Sequence, residues 1–416
     1  MLSRKVSTAI ALGALSSLGV VARGETLNLN TPYDLNFQRP VYLDDAPPKP
    51  LEGVLRNWGM GQDRSGFNIY GFVEGSYTAS FDPPPGKFIT GRVFDVDNEE
   101  VLLNQADLQI EKTVDSAAAV KEGRWQLGGK IEVVYGADAR FLHSNGLNFY
   151  GSSGPQLSPE NQFDLVQAYV DVATPIGNGL WFRAGKMVTH MGYETINPTT
   201  NPLFSHSYMF GYAIPFTHTG VMAFYPVDDK LTVMGGFSRG WDQALEDNND
   251  AVDALGQVKY VLNEKTTAYF NFTTGPESGS NSLWRTVFDG IVTYNATDAL
   301  SFAANADFGW EPGGAPSGGS AQWYGVALYS GYKLSSMFTV NARAEWFSDP
   351  QGARGLSGNM YEVTVGLGIK PAPDDRYLSG LLIRPELRWD YSEDGIFNGG
   401  TDESQWTAAI DAIFAF

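Results

Sequence analysis

The sequence predicts an all-β chain closed into a transmembrane, antiparallel, up-and-down β-barrel of about sixteen strands, with short turns at one end and long loops at the other. Three observations predict it. From residue 66 to residue 416, segments of roughly ten residues alternate apolar and polar with a period of two, longer than most strands of soluble domains. Gly at 47 positions, 13% aromatic and only 18% charged residues favour strands and turns over soluble helices. Outside the N-terminus, no stretch approaches 18 consecutive apolar residues, which excludes helical membrane spans.

Taken in order, the chain opens with Arg4 and Lys5, an apolar run from Val6 to Val21, and Ala22-Arg23-Gly24. This fits a cleaved signal peptide over 1–24, because Ser7, Thr8, Ser16 and Ser17 break a run already too short to span. The protein is therefore expected to leave the cytoplasm. Removing 1–24 takes away three bases and no acid, leaving 47 acids against 25 bases, a net charge of −22. That charge excludes a nucleic-acid partner. The absence of cysteine excludes a disulfide scaffold, a thiolate metal site and a lipid anchor at the cleavage point. Residues 25–65 lack periodicity and contain Ala46-Pro47-Pro48-Lys49-Pro50, an extended leader into the barrel of 66–416.

In the first strand Ile69, Gly71, Val73, Gly75 and Tyr77 share one face, and Asn68, Tyr70, Glu74 and Ser76 the other. The same test marks 101–113, 124–137, 163–173, 180–190, 218–226, 230–241, 253–262, 266–274, 283–295, 299–310, 321–333, 337–348, 359–370, 379–391 and 404–416. The segments 180–190 and 218–226 alternate imperfectly, with Arg183 and Lys186 on opposite faces, and a bulge or a miscounted strand is expected there. In 379–391, Leu381, Ile383, Leu387, Trp389 and Tyr391 oppose Arg384, Glu386, Arg388 and Asp390, a strand separating hydrocarbon from a wet interior. In 337–348, Phe338, Val340, Ala342, Ala344 and Trp346 oppose Asn341, Arg343 and Glu345.

Aromatic residues at strand ends, among them Trp125, Trp181, Trp284, Tyr294, Trp310, Trp389 and Trp406, fit two interfacial girdles. Short connections such as 175–179, 227–229, 263–265, 296–298 and 334–336 alternate with longer ones, the longest being 82–100, 138–162 and 191–217. Short periplasmic turns and long outer loops are the bacterial outer-membrane arrangement, and an even strand count puts both termini in the periplasm. The outer membrane of a Gram-negative-type bacterium follows as the location. Ser404 to Phe416 reads as the closing strand, and Phe416 resembles the signal by which the barrel assembly machinery recognises its substrates.

The chain resembles the outer-membrane β-barrel porins of the OmpL-like kind over 66–416. The residues that carry the likeness are Gly71-Phe72-Val73, Asn104 to Leu108 before Glu111-Lys112, Gln167-Ala168-Tyr169-Val170, and above all Asn201 to Ser207 with Pro215 to Gly220. The resemblance implies a porin or porin-like barrel. It supplies no substrate and no functional residue.

A barrel of this size leaves an aqueous lumen, so passive diffusion of small hydrophilic solutes is the expected function. In classical sixteen-stranded porins, which this count resembles, the third outer loop folds inward to narrow the pore; 191–217 is the third outer loop here and is expected to do the same, its candidates being Glu194, Phe204, Tyr208, Phe210 and Tyr212. Candidate pore-lining charges are Lys130, Glu132, Arg285, Asp289, Arg343, Glu345, Arg384, Glu386, Arg388 and Asp390, either opposed across the constriction or simply paired with one another.

Tyr70, Tyr169, Tyr269, Trp323 and Tyr329 fall on inward faces and raise the alternative of a sugar-selective porin. A plugged structural or adhesive barrel is the third reading. Acidic outer loops (Asp95, Asp97, Glu99, Glu100; Asp242, Glu246, Asp247, Asp250; Glu393, Asp394, Asp402, Glu403) read as a solvated rim that favours cations, with divalent bridging to lipopolysaccharide as the sharper version. No hydrolase elbow or phosphate loop occurs, and His143, His190, His206 and His218 lack metal-ligand spacing. No enzyme activity, catalytic residue, cofactor or metal is expected. Expected partners are membrane lipid, lipopolysaccharide, the assembly machinery and solutes. A homotrimer is the habit of sixteen-stranded general porins, although no patch in the sequence proves one.

Overall fold

The computed structural model describes residues 66–82, 84–147, 160–279 and 281–416. The signal peptide expected at 1–24 and the leader at 25–65 lie outside the described residues. Each alternating segment forms a strand: β1 (Asn68–Ser80), β2 (Glu100–Lys112), β3 (Gln126–Gly136), β4 (Gln162–Ala173), β5 (Trp181–Val188), β6 (Thr217–Pro226), β7 (Leu231–Ser238) and β8 (Asp253–Asn263). There follow β9 (Thr266–Pro276), β10 (Trp284–Asn295), β11 (Leu300–Glu311), β12 (Ala321–Lys333), β13 (Phe338–Asp349), β14 (Gly358–Ile369), β15 (Leu381–Ser392) and β16 (Ser404–Ala415).

Every strand pairs antiparallel with its sequence neighbours, and β16 pairs with β1 to close the barrel. Closure is what lets strands sit in hydrocarbon, where an unpaired edge would leave a row of unsatisfied N–H and C=O groups. The register runs from Phe72 opposite Ala415 to Ser80 opposite Thr407. Beyond it, Gly71 N–H donates to the Phe416 carbonyl (3.0 Å) and Phe416 N–H to the Gly71 carbonyl (2.9 Å).

The two faces of the wall separate as the alternation requires. Val73, Leu108, Ile131, Val170, Phe288 and Ile410 are exposed on the outside, while Glu74, Gln109, Glu132, Asp171, Asp289 and Asp411 are buried on the inside. Trp125, Trp284, Tyr294, Trp310 and Trp406 are exposed, as girdle residues must be. Trp181 is a correction: it points inward and stacks on Phe224 with ring centroids 3.8 Å apart. Its place at a strand end fitted either side of the wall, and only its register with Phe224 decides.

The irregularity expected near 180–190 lies one strand away. Glu132 pairs with Gln167 but Val133 pairs with Leu165, leaving Val166 as the extra residue of a bulge in β4. There Lys186 turns its ammonium to Asp164 Oδ2 (3.3 Å) and the Leu165 carbonyl (2.6 Å). The first periplasmic turn contains a short helix absent from the sequence reading, α1 (Ser116–Glu122). Asp115 caps it by accepting from Ala118 N–H, and Gly123 ends it in the left-handed conformation (φ 63°). Seven residues are too few to show a 3.6-residue period.

The outer connections are L1 (81–99), L2 (137–161), L3 (189–216), L4 (239–252), L5 (277–283), L6 (312–320), L7 (350–357) and L8 (393–403). On the β2 side of β1, a Cβ on Gly71 would lie 2.1 Å from the Asp107 carbonyl oxygen, a backbone atom that cannot step aside. Gly71→Ala should destabilise the closed barrel by about 1–3 kcal/mol, the usual overpacking cost. Gly235→Ala, with nothing within 4 Å, should not. Thermal conversion of the compact form in unboiled gels measures both; equal midpoints would refute the tight approach of β1 and β2.

Candidate functional site: an inward loop and the wall that holds it

L3 leaves β5 and turns into the barrel instead of standing above it. A loop taken away from water must find partners for its backbone N–H and C=O groups. Here the inward side chains of the strands supply them. At the loop's root, Gly192 N–H donates to Asp289 Oδ1 (2.9 Å) on β10 and Tyr193 N–H to Asn305 Oδ1 (3.1 Å) on β11. Gln105 on β2 donates to the Ile196 carbonyl (3.0 Å). Arg384 on β15 donates to the carbonyls of Pro198 (3.0 Å) and Asn201 (2.7 Å), and Asn341 on β13 to that of Pro202 (2.8 Å).

The next stretch is held by carboxylates. Phe204 and Ser205 N–H donate to Glu386 (2.9 and 3.2 Å), and Tyr208 and Met209 N–H to the two oxygens of Glu345 (2.6 and 2.8 Å). Between them, Arg343 donates to the Ser205 carbonyl and Arg388 to that of His206. The return limb rests on Trp323, whose Nε1 donates to the Ala213 carbonyl (3.0 Å), and on Arg354 of L7, whose Nε donates to that of Tyr212 (2.6 Å). With Gln257 on β8 donating to the His190 carbonyl (3.3 Å), the L3 backbone is bonded to inward side chains of β2, β8, β10, β11, β12, β13 and β15.

The register of β13, β14 and β15 explains why the wall can do this. Glu345, Glu362 and Asp390 stand in one row across the three strands, and Arg343, Thr364 and Arg388 in the next. Three adjacent carboxylates would repel one another. The neighbouring row compensates: Arg343 Nε lies 2.6 Å from Glu362 Oε1, and Arg388 Nη2 2.8 Å from Asp390 Oδ1. The loop adds its own acid, Glu194, 2.6 Å from Arg343 Nη1. Burial alone would raise the Glu194 carboxyl, but the Arg343 guanidinium overrides it and holds the group below the usual carboxylate range. Burial pushes the His206 imidazole down to about 4, so it is neutral at physiological pH.

Of the sequence candidates, Glu194, Phe204, Tyr208 and Phe210 are buried in L3, and Tyr212 is half-buried. Asp289, Arg343, Glu345, Arg384, Glu386, Arg388 and Asp390 are brought together around that loop. Lys130 and Glu132 pair with each other on β3 (2.8 Å); Arg285 pairs with Glu311 at β10 and β11 (2.9 Å), its guanidinium 6.0 Å over the ring of Trp323. Arg384 is further held by Asp411 (2.6 Å) and Glu74 (3.3 Å).

Sequence reasoning missed Glu362, Asp411, Trp323 as a loop support, and Arg92. Alternation would have found the first two. Arg92 lies in L1, where no period exists to reveal it. Among the described residues no group of three His, Cys, Asp or Glu could hold a metal ion. The inward aromatic rings are largely covered: Arg183 lies 3.7 Å over Tyr169, and Tyr193 4.4 Å from Tyr329.

A closed sixteen-stranded barrel, apolar outside, charged inside and carrying its third outer loop against the inner wall, defines the class of outer-membrane channels for small solutes. The sequence matches the family described as "Putative beta-barrel porin-2, OmpL-like" over residues 66–416, and the chain belongs to that family. Its location is the outer membrane of a Gram-negative-type bacterium. No curated protein matches the sequence.

Among solved structures, the anion-selective porin from Comamonas acidovorans shares the fold with a TM-score of 0.57 at 11% identity, over 84% of this chain and 99% of that one. The outer membrane channel DcaP of Acinetobacter baumannii does so at 0.53 and 12%, over 85% and 99%. OprB of Pseudomonas putida matches at 0.54 and 11%, over 84% and 94%.

Removing the acceptors of the L3 amides should free the loop. In Glu345→Ala the N–H groups of Tyr208 and Met209 lose two charge-assisted bonds, worth about 3 kcal/mol together, so the opened loop should be roughly 100-fold more populated. Chymotrypsin added to the folded barrel should then cut near Phe204 to Tyr212 far faster than in the wild type, whereas Glu264→Ala in a periplasmic turn should not. Equal cleavage rates would refute the clamp.

Proposed function

We propose that L3 narrows the lumen and that the protein is a passive, cation-preferring pore for small hydrophilic solutes, not an enzyme. The observation that supports it best is the attachment of L3 backbone to side chains on seven strands, from Gln257, Asp289 and Asn305 to Glu345 and Glu386. A loop held this way takes up cross-section that the strands alone would leave to water.

Cation preference follows from the charge inventory. Lys130, Arg183, Arg285, Arg343, Arg384 and Arg388 each have an acidic partner on the inner wall, which leaves the sign of the field to the mouth. Acidic residues in L1, L4 and L8 make the outer mouth negative, where divalent cations would also bridge to lipopolysaccharide. The anion selectivity named for the Comamonas porin belongs to that protein, since 11% identity carries the fold alone. Assembly as a homotrimer, with delivery through β16 to the barrel assembly machinery, completes the proposal. The Vibrio cholerae OmpT structure described as a trimer form shares this fold at a TM-score of 0.54.

Planar-bilayer recording tests the reading. A variant lacking 196–210 should conduct more than the wild type, and a salt gradient across the wild type should give a reversal potential of cation sign. Unchanged conductance in the variant would refute the constriction, and an anion-sign potential the charge reading. A wild type with no conductance would favour a plugged barrel, and sugars outpacing size-matched amino acids in liposome swelling a sugar porin.

A further inference from the structure

A second outer loop is packed into the same space as L3. Residues 88–97 of L1 form a small hairpin, with Phe88 bridged to Asp97 and Ile89 N–H donating to the Val96 carbonyl (2.8 Å). Its tip reaches the wall. Arg92 Nη2 donates to Asp390 Oδ2 (2.8 Å) and to Thr407 Oγ1 (2.8 Å), with the guanidinium wholly enclosed. The other oxygen of Asp390 accepts the Tyr208 hydroxyl of L3 (2.7 Å). A single carboxylate on β15 thus joins both loops. A direct link runs alongside, from the Tyr212 hydroxyl to the Arg92 carbonyl (3.2 Å).

The two loops also interlock by shape. A Cβ on Gly91 would lie 3.0 Å from Tyr208 Cε1, and a Cβ on Gly211 would lie 2.5 Å from Val93 Cγ2. Each loop carries its glycine where the other presses closest. Phe94 adopts φ 78°, a conformation costly for a bulky residue that persists only where the surroundings over-determine it. Its ring meets His206 edge-on at 5.0 Å and Phe210 at 5.8 Å, both in L3.

We infer that L1 is a strap that sets where L3 rests, with Arg92 as its positioning residue, so that the narrowing is a two-loop device. The inference rests on the reading of L3 as the constriction. Arg388 still holds Asp390 when Arg92 is removed, so the barrel itself should survive the change.

The test uses the full chain in planar bilayers, with unboiled gel mobility to establish folding. Arg92→Ala should show transitions between current levels at least about ten-fold more often than the wild type, from the loss of its enclosed ion pairs with Asp390 (2.8 Å) and Asp95 (3.8 Å). Arg92→Lys should recover part of the steadiness, since an ammonium reaches Asp390 without the planar fork. In the background lacking 196–210, Arg92→Ala should add nothing, because the element it positions is gone.

Wild-type steadiness in folded Arg92→Ala would overturn the strap, as would an equal effect in the deletion background. If the deletion enlarges conductance while Arg92→Ala is silent, the strap alone falls. If the deletion changes nothing, the constriction falls and the strap with it. Should Arg92→Ala yield no folded barrel, Tyr212→Phe decides: more frequent transitions support the strap and wild-type behaviour overturns it.

Discussion

A peptide segment cannot be moved from water into the middle of a protein unless each of its N–H and C=O groups is given a new partner. Most outer loops avoid the problem by staying in solvent. L3 meets it with side chains of the surrounding strands: carboxylates of Asp289, Glu345 and Glu386 take its amides, and guanidiniums of Arg343, Arg384 and Arg388 take its carbonyls. The polar inner face of the barrel therefore has a structural as well as a solvating purpose. Its charges stand where the loop's backbone needs them.

That arrangement carries its own electrostatic constraint. Enclosed charges are costly unless paired and hydrogen-bonded, and removing one member of such a set commonly costs more than the set contributes. The row of Glu345, Glu362 and Asp390 is tenable only because Arg343 and Arg388 stand one step along the neighbouring strands. The period of two along each strand and the antiparallel register place acids beside acids in one row and two arginines flanking Thr364 in the next, then bring the two rows within bonding distance. L3 completes the set with Glu194, and L1 with Arg92. The loops and the wall thus neutralise one another, and neither arrangement is complete alone.

The strands were legible because the bilayer imposes a two-residue period wherever lipid meets water, as in Leu387 and Trp389 against Arg388 and Asp390. The third loop was legible for a different reason, as a long connection with one charge and many aromatic rings, in the place where sixteen-stranded porins carry their inward loop. What the sequence left open was pairing across distance. Arg92 and Asp390 are 298 positions apart, and only closure of the barrel brings them together. The candidate charges were seen as two sets facing each other across a gap or as mutual pairs. Lys130 with Glu132 and Arg388 with Asp390 are such pairs, and six of the ten candidates stand on β13 and β15, where L3 is bonded to them. Trp181 and α1 escaped because ring chemistry does not report which side of a wall it faces, and seven residues do not report a helix.

The central claim is that L3 belongs to the barrel interior as firmly as the strands do. Amide hydrogen exchange on the intact wild-type barrel addresses it directly. The N–H groups of Gly192, Phe204, Ser205, Tyr208 and Met209, each bonded to an inward side chain, should exchange as slowly as strand amides. Exchange of those five at the rate of exposed amides in L4 and L8 would contradict the account.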